Sequence, residues 1–89
     1  LGLAYSKLGD YKEAVKVFYR AKSLNPSNPI YNYHLGIALS NLNRYVEAIF
    51  MLRFFIVLAN KEKYENLIKD AEERIKKLKS ERKKLLKGK

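Results

Sequence analysis

Apolar residues recur at steps of three and four along almost the whole chain, a period that predicts helices and leaves no segment alternating like a strand. Leu1, Ala4, Tyr5 and Leu8 form the first stripe and predict the closing turns of a helix. That helix would begin before Leu1, so the native chain is expected to extend upstream, where an earlier repeat would cover Tyr5, Leu8 and Tyr11. Gly9-Asp10 reads as a break, with Asp10 as N-cap and Glu13 completing a capping box. A second helix then runs from Tyr11 to about Leu24, with Ala14, Val15, Phe18 and Ala21 inward and Lys12, Lys16 and Arg20 outward.

Asn25-Pro26-Ser27-Asn28-Pro29 stops that helix and starts another. Asn28 suits the N-cap, and Pro29 suits the first helical position, where its missing N–H costs nothing. The third helix is expected from Pro29 to about Leu42, with Leu35, Ala38, Leu39 and Leu42 facing its partners. Gly36 lets a neighbouring helix come close, which outweighs its helix penalty of about 1 kcal/mol. Asn43-Arg44 is a turn, and the fourth helix covers Tyr45 to Ala59. From Lys61 onward Tyr64, Ile68, Ala71, Ile75, Leu78 and Leu85 keep one stripe, broken by Arg82. Glu65 to Lys69, Asp70 to Arg74, Glu72 to Lys76 and Glu73 to Lys77 support this helix as acid-before-base pairs four apart. Reaching Lys87, it would be about 40 Å long, so its distal part must project or find a partner.

The pattern repeats. Leu35-Gly36, Leu39, Tyr45, Ala48, Leu52 and Leu58 restate Leu1-Gly2, Tyr5, Tyr11, Ala14, Phe18 and Leu24 at an offset of 34 residues. A period of this length means helix pairs that bury their apolar faces only by stacking on copies of themselves. The residues Leu1, Gly2, Tyr5, Ala14, Phe18 and Pro26 resemble the tetratricopeptide repeat family over about residues 1–60. The second copy departs from the family pattern, with Asn32 for Trp, Leu39 for Tyr, Leu52 for Phe, Phe55 for Ala and Asn60 for the closing Pro; the last two bear on the packing at Phe55 and the exit of the chain. The resemblance implies an all-α chain of antiparallel helix-turn-helix repeats, a tetratricopeptide-like α-solenoid with a long C-terminal helix. Residues 1–26 would be a first repeat truncated at its N-terminus, 29–60 the second, and 61–89 a capping helix with a basic end. Lys69 and Asp70 stand where Leu-Gly would recur, so this last helix resembles the family's solvating helix rather than a third repeat.

Composition removes several classes of function. The 89 residues contain no cysteine, which excludes disulfides, thiolate metal sites and a cysteine nucleophile, and a single histidine, His34, holds no metal alone. Ser6, Ser23, Ser27, Ser40 and Ser80 lie in no catalytic motif, and glycine-rich phosphate loops are missing. No enzyme activity and no cofactor are expected. The apolar run Ala48–Ala59 is interrupted by Arg53 and too short to span a bilayer, and no secretory signal opens the sequence, so a cytoplasmic setting is expected.

The expected activity is binding of a peptide or helix of a partner protein. The resemblance implies a concave groove lined by first helices, and helical phase assigns to it Leu3, Ser6, Lys7, Ile30, Tyr33, His34, Ile37 and Asn41. Ile30 and Ile37 have the alternative of packing on the next layer, and His34 reads as a hydrogen-bonding surface residue. The family's chaperone-binding members grip a terminal carboxylate with Lys, Asn and Arg; Leu3, His34, Tyr64 and Ile68 stand at the matching positions, so that clamp is missing. A second surface emerges from comparing the copies: where the first has Lys16, Val17, Arg20 and Ser23, the second has Phe50, Met51, Phe54 and Val57. These four form a convex-face contact, either under the helix after Lys61 or free to make a homodimer. The net charge of +10 concentrates in the tail, with Arg74, Lys76, Lys77, Lys79, Arg82, Lys83 and Lys84. They either solubilise a helix end or attract RNA or an anionic membrane, though with no aromatic beyond Tyr64 to stack a base, specific nucleic-acid recognition is disfavoured.

Overall fold

The computed structural model of the chain describes residues 8–87, so the expectations for Leu1, Gly2, Leu3, Ala4, Tyr5, Ser6 and Lys7 lie outside the described residues. Four helices follow one another: α1 (Leu8–Leu24), α2 (Ile30–Asn41), α3 (Tyr45–Leu58) and α4 (Glu65–Lys87). Two helix starts differ from expectation, that of α1 and that of α4. Gly9 and Asp10 are helical, so no break and no Asp10 cap interrupts the chain there. A helical glycine costs only about 1 kcal/mol, and Asp10 in the first turn of α1 interacts favourably with the helix dipole.

The turns satisfy the backbone groups that each helix end leaves free. Before α2, Asn28 Oδ1 accepts the Ile30 N–H at 3.1 Å, and Pro29 already has helical dihedrals, φ −72° and ψ −14°. Between α2 and α3, Arg44 N–H donates to Leu39 O at 3.0 Å and Asn43 N–H to Ser40 O at 3.1 Å, with Asn43 in the left-handed region at φ 62°. This is a Schellman end with asparagine in the usual glycine position. After α3, Asn60 Oδ1 accepts from the N–H groups of Glu62 and Lys63 at 2.9 and 3.0 Å, and Tyr64 N–H donates to Asn60 O at 2.9 Å. The residue that replaces the family's proline thus starts the next helix, and α4 is fully formed from Glu65 rather than Lys61.

Consecutive helices pack against each other, and the short turns make them antiparallel. Gly36 on α2 faces Leu52 and Ala48 on α3 so closely that a Cβ there would lie 2.6 Å from Leu52 Cγ, which confirms the close-approach reading. Leu35, Leu39, Ala48, Leu52 and Phe55 form the innermost core. Phe55 fills the space between layers: its ring centroid lies 5.2 Å from that of Tyr33 on α2 and 5.7 Å from that of Tyr64. A phenylalanine at the family's alanine position is therefore accommodated by two aromatic neighbours. On α4, Ala71, Ile75 and Leu78 are buried while Leu85 and Leu86 are exposed, so the stripe is covered only as far as Leu78 and the last two turns project.

Candidate functional site

Tyr33 and Asp70 define how α4 sits. The Tyr33 hydroxyl donates to Asp70 Oδ2, and Arg74 Nε donates to the same oxygen at 2.6 Å. Ser40 and Asn41 at the end of α2 share a cleft of about 300 Å³ with Arg74, Lys77, Leu78 and Glu81. Tyr33 pairs with Asp70 near one end, and Ser40 and Lys77 line one cleft near the other, so the two helices run side by side in the same direction. α4 therefore lies beside α2 in the position of a further first helix.

The assigned groove residues divide on this frame. Ile30, His34 and Ile37 are half-buried along α2, and Asn41 is exposed at its end. Tyr33 differs: only 8% of it is exposed, because α4 covers it and Asp70 takes its hydroxyl. It packs between the helices and is not open to a partner. His34 stacks on Phe18 of α1, with ring centroids 5.1 Å apart and planes at 19°. Burial holds its pKa below the ordinary histidine value. Ser40 Oγ and Asn41 Nδ2 both donate back to Ile37 O, at 2.7 and 3.0 Å, so in this state they are folded onto their own helix.

The electrostatics of the interhelix contact are self-consistent. Partial burial works against ionisation of Asp70, but the hydrogen bonds from Tyr33 and Arg74, with the Arg74 charge, outweigh it and hold the carboxyl below its usual value. Burial, followed by the bond to Asp70, pushes Tyr33 up. Arg74 thus belongs to this contact rather than to a free basic tail. Lys76, Lys77, Lys79, Arg82, Lys83 and Lys84 are exposed. Of the four expected ion pairs on α4, Glu65–Lys69 at 3.8 Å and Asp70–Arg74 form.

The outer face of α3 carries the other assigned surface. Phe50 is 58% exposed, Val57 78% and Phe54 less so, with the two Phe rings edge to face at 5.3 Å. Met51 is only 8% exposed, because it lies a quarter turn from Phe50 on the flank that packs inward, and it joins the core while still lining the cleft beside Phe50. The sequence reading missed Tyr19 of α1, Arg53, and the return of Lys79 and Arg82 to this face, where they line a cleft of about 430 Å³ with Val46, Ile49 and Phe50. No local signal marks them, since they meet only through helix packing. Another unforeseen feature is Asn32, buried to 1% exposure with its Oδ1 lacking a protein partner, where the family favours Trp.

Among the described residues no helix is long and apolar enough to cross a membrane, and no three His, Asp or Glu side chains gather as a metal site would need. Comparison with known proteins agrees with the architecture. Residues 2–43 match the family profile described as "TPR repeat". A curated relative, the "TPR repeat-containing protein" of Borreliella burgdorferi (strain ATCC 35210 / DSM 4680 / CIP 102532 / B31), is 30% identical over 59 residues, which are 66% of this chain. The match spans 26% of that relative's length. No solved structure matches the chain significantly. With the profile match, the relative and the antiparallel helix pairs together, residues 2–43 belong with the tetratricopeptide repeats, and the helices that follow continue the same antiparallel packing.

Proposed function

We propose that the chain is a non-catalytic interaction module that holds a peptide or helix of a partner protein against the face formed by α2 and α4. The observation that carries this reading is the line of half-buried and exposed residues Ile30, His34, Ile37 and Asn41, which leads into the cleft between the two helices. Its lower part offers amide, hydroxyl, cationic and anionic groups from Asn41, Ser40, Lys77 and Glu81. Apolar contacts along the helix with a few polar groups at one end suit an extended or helical segment, by burial for affinity and hydrogen bonds for register.

The test is a peptide-library selection against the chain, with the best binder measured again on Ile37→Lys and on Asn41→Lys. Both positions face solvent in part, so the fold should survive, as circular dichroism would verify. Each change should weaken binding by at least about tenfold, equivalent to about 1.4 kcal/mol. Equal affinity for both variants would mean that the selected peptides bind elsewhere and that this face is not the site.

A further inference from the structure

We propose that the outer face of α3 is a second binding groove, on the side of the molecule away from the α2 and α4 surface, and that it takes an amphipathic helix with acidic flanks from another protein. The floor is apolar. Val46, Ile49, Phe50 and Met51 line the cleft, and the exposed Phe54 and Val57 continue the Val46–Phe50 stripe of α3 beyond it, over about 16 Å or three helical turns in all. Tyr19 of α1 closes one side, and the distal part of α4 closes the other.

The rim is cationic, and this selects the occupant. Arg53, Lys79 and Arg82 line the cleft, and Lys22 stands 5.3 Å above the Phe54 ring. The acid at the cleft, Glu47, is already held by Arg44 through two hydrogen bonds of 2.8 and 3.0 Å, so it offers a ligand cation little. A second copy of this chain would bring the same cations against this rim, with the whole chain at +10, and its exposed Leu85 and Leu86 directly follow the exposed Lys83 and Lys84. Like charges facing each other disfavour that pairing. An anionic membrane matches the charge and would meet the exposed Phe50 and Val57, but the cleft between Tyr19 and Lys79, with its inner residues Ile49 and Met51 buried, has the shape of a seat for a helix rather than for a flat bilayer. A separate helix with apolar anchors at steps of three and four and Asp or Glu beside them satisfies floor and rim together.

The probe is a designed 18-residue helical peptide with Leu at i, i+4, i+7 and i+11 and Glu at the flanking positions, beside an isomer with Lys for every Glu. Binding is read by fluorescence anisotropy and by amide shifts of the labelled chain. The acidic peptide should shift Tyr19, Phe50 and Phe54, and Arg53→Glu with Lys79→Glu should weaken it by at least about tenfold, as should Phe50→Ser with Phe54→Ser. The Lys isomer should not bind, and Ile37→Lys, on the opposite surface, should leave affinity unchanged, which separates this inference from the groove reading above. Equal binding of both isomers, no binding of the acidic one, or insensitivity to both pairs of substitutions would overturn it. So would a salt-independent dimer in light scattering that the Phe50 and Phe54 substitutions abolish, or phosphatidylserine vesicles binding through Phe50 and Phe54 while the peptide does not.

Discussion

Replacing Gly36 with alanine tests the packing that holds the two layers together. In an ordinary helix interior this exchange gains about 1 kcal/mol, because alanine loses less backbone freedom on folding. Here the new Cβ would lie 2.6 Å from both Cγ and Cδ2 of Leu52 and 3.3 Å from the Ala48 carbonyl oxygen. Carbon atoms rest about 3.5–4.0 Å apart, so roughly 1 Å of separation must be found. Leu52 is fully buried, and its Cγ sits one torsion from the backbone, so the clash is not relieved by swinging a chain end into water. Overpacking costs about 1–3 kcal/mol; at the upper end, which this site warrants, the net loss is about 2 kcal/mol. At about 4–8 °C per kcal/mol for a domain of this size, Tm should fall by about 8–16 °C in a circular dichroism melt. Leu52→Ala alone should cost about 2–5 kcal/mol, and the double variant should lose less than the sum by about 1 kcal/mol or more, since the new methyl fills part of the cavity. A Gly36→Ala variant as stable as the parent, or strict additivity in the cycle, would refute the close approach.

Three further outcomes follow from the contacts described. Tyr33→Phe keeps the ring against Phe55 but removes the bond to Asp70, and urea unfolding should show a loss of about 1 kcal/mol, modest because the carboxylate still meets water. Asp70 has a folded pKa below its ordinary 3.8, so its contribution is present above that value and is lost as pH falls through the folded one. This acid limb should flatten in Tyr33→Phe, and an unchanged limb would remove Tyr33 from the account. The folded pKa of His34 is likewise lowered from 6.5, so the unfolded chain takes up the proton first; stability is full above 6.5 and falls as pH descends towards the folded value. His34→Gln should abolish that decline, and parallel profiles for the two proteins would contradict it. Asn43→Ala should cost about 1 kcal/mol by forcing alanine to φ 62°, whereas Asn43→Gly should stay within a few tenths, and equal melts for Ala and Gly would show that the left-handed turn is not retained.

How much of the candidate surfaces was legible depended on how many helices meet there. The comparison of two copies places Phe50, Phe54 and Val57 together on the outer side of α3, which helical phase alone decides, but leaves open whether α4 covers them; the structure shows them exposed. Tyr33 was misread because α2 is packed by α1 and α3 and meets α4 through its hydroxyl, so that residues on most of its circumference are buried and phase no longer separates groove from core. Met51 is less exposed than its neighbour for a related reason: 100° of rotation from Phe50 turns it towards the core, so that only its edge lines the cleft.

The sequence by itself determined the helices, their turns and their 34-residue spacing, because these depend on residues only a few positions apart: Asn28 on Ile30, Asn43 on the carbonyls of α2, Asn60 on the two amides that follow it. It also determined the close contact at Gly36, since a missing side chain at a packed position has few other uses. Only the tertiary structure decided where α4 lies, and with it the burial of Tyr33, the bond from its hydroxyl to Asp70 and the return of Lys79 and Arg82 to the outer face of α3. The apolar stripe of α4 states that the helix must be covered, but a stripe is compatible with many positions along its partner. Side-chain fit against α2 and α3, above all the wedge of Phe55 between Tyr33 and Tyr64, selects one of them.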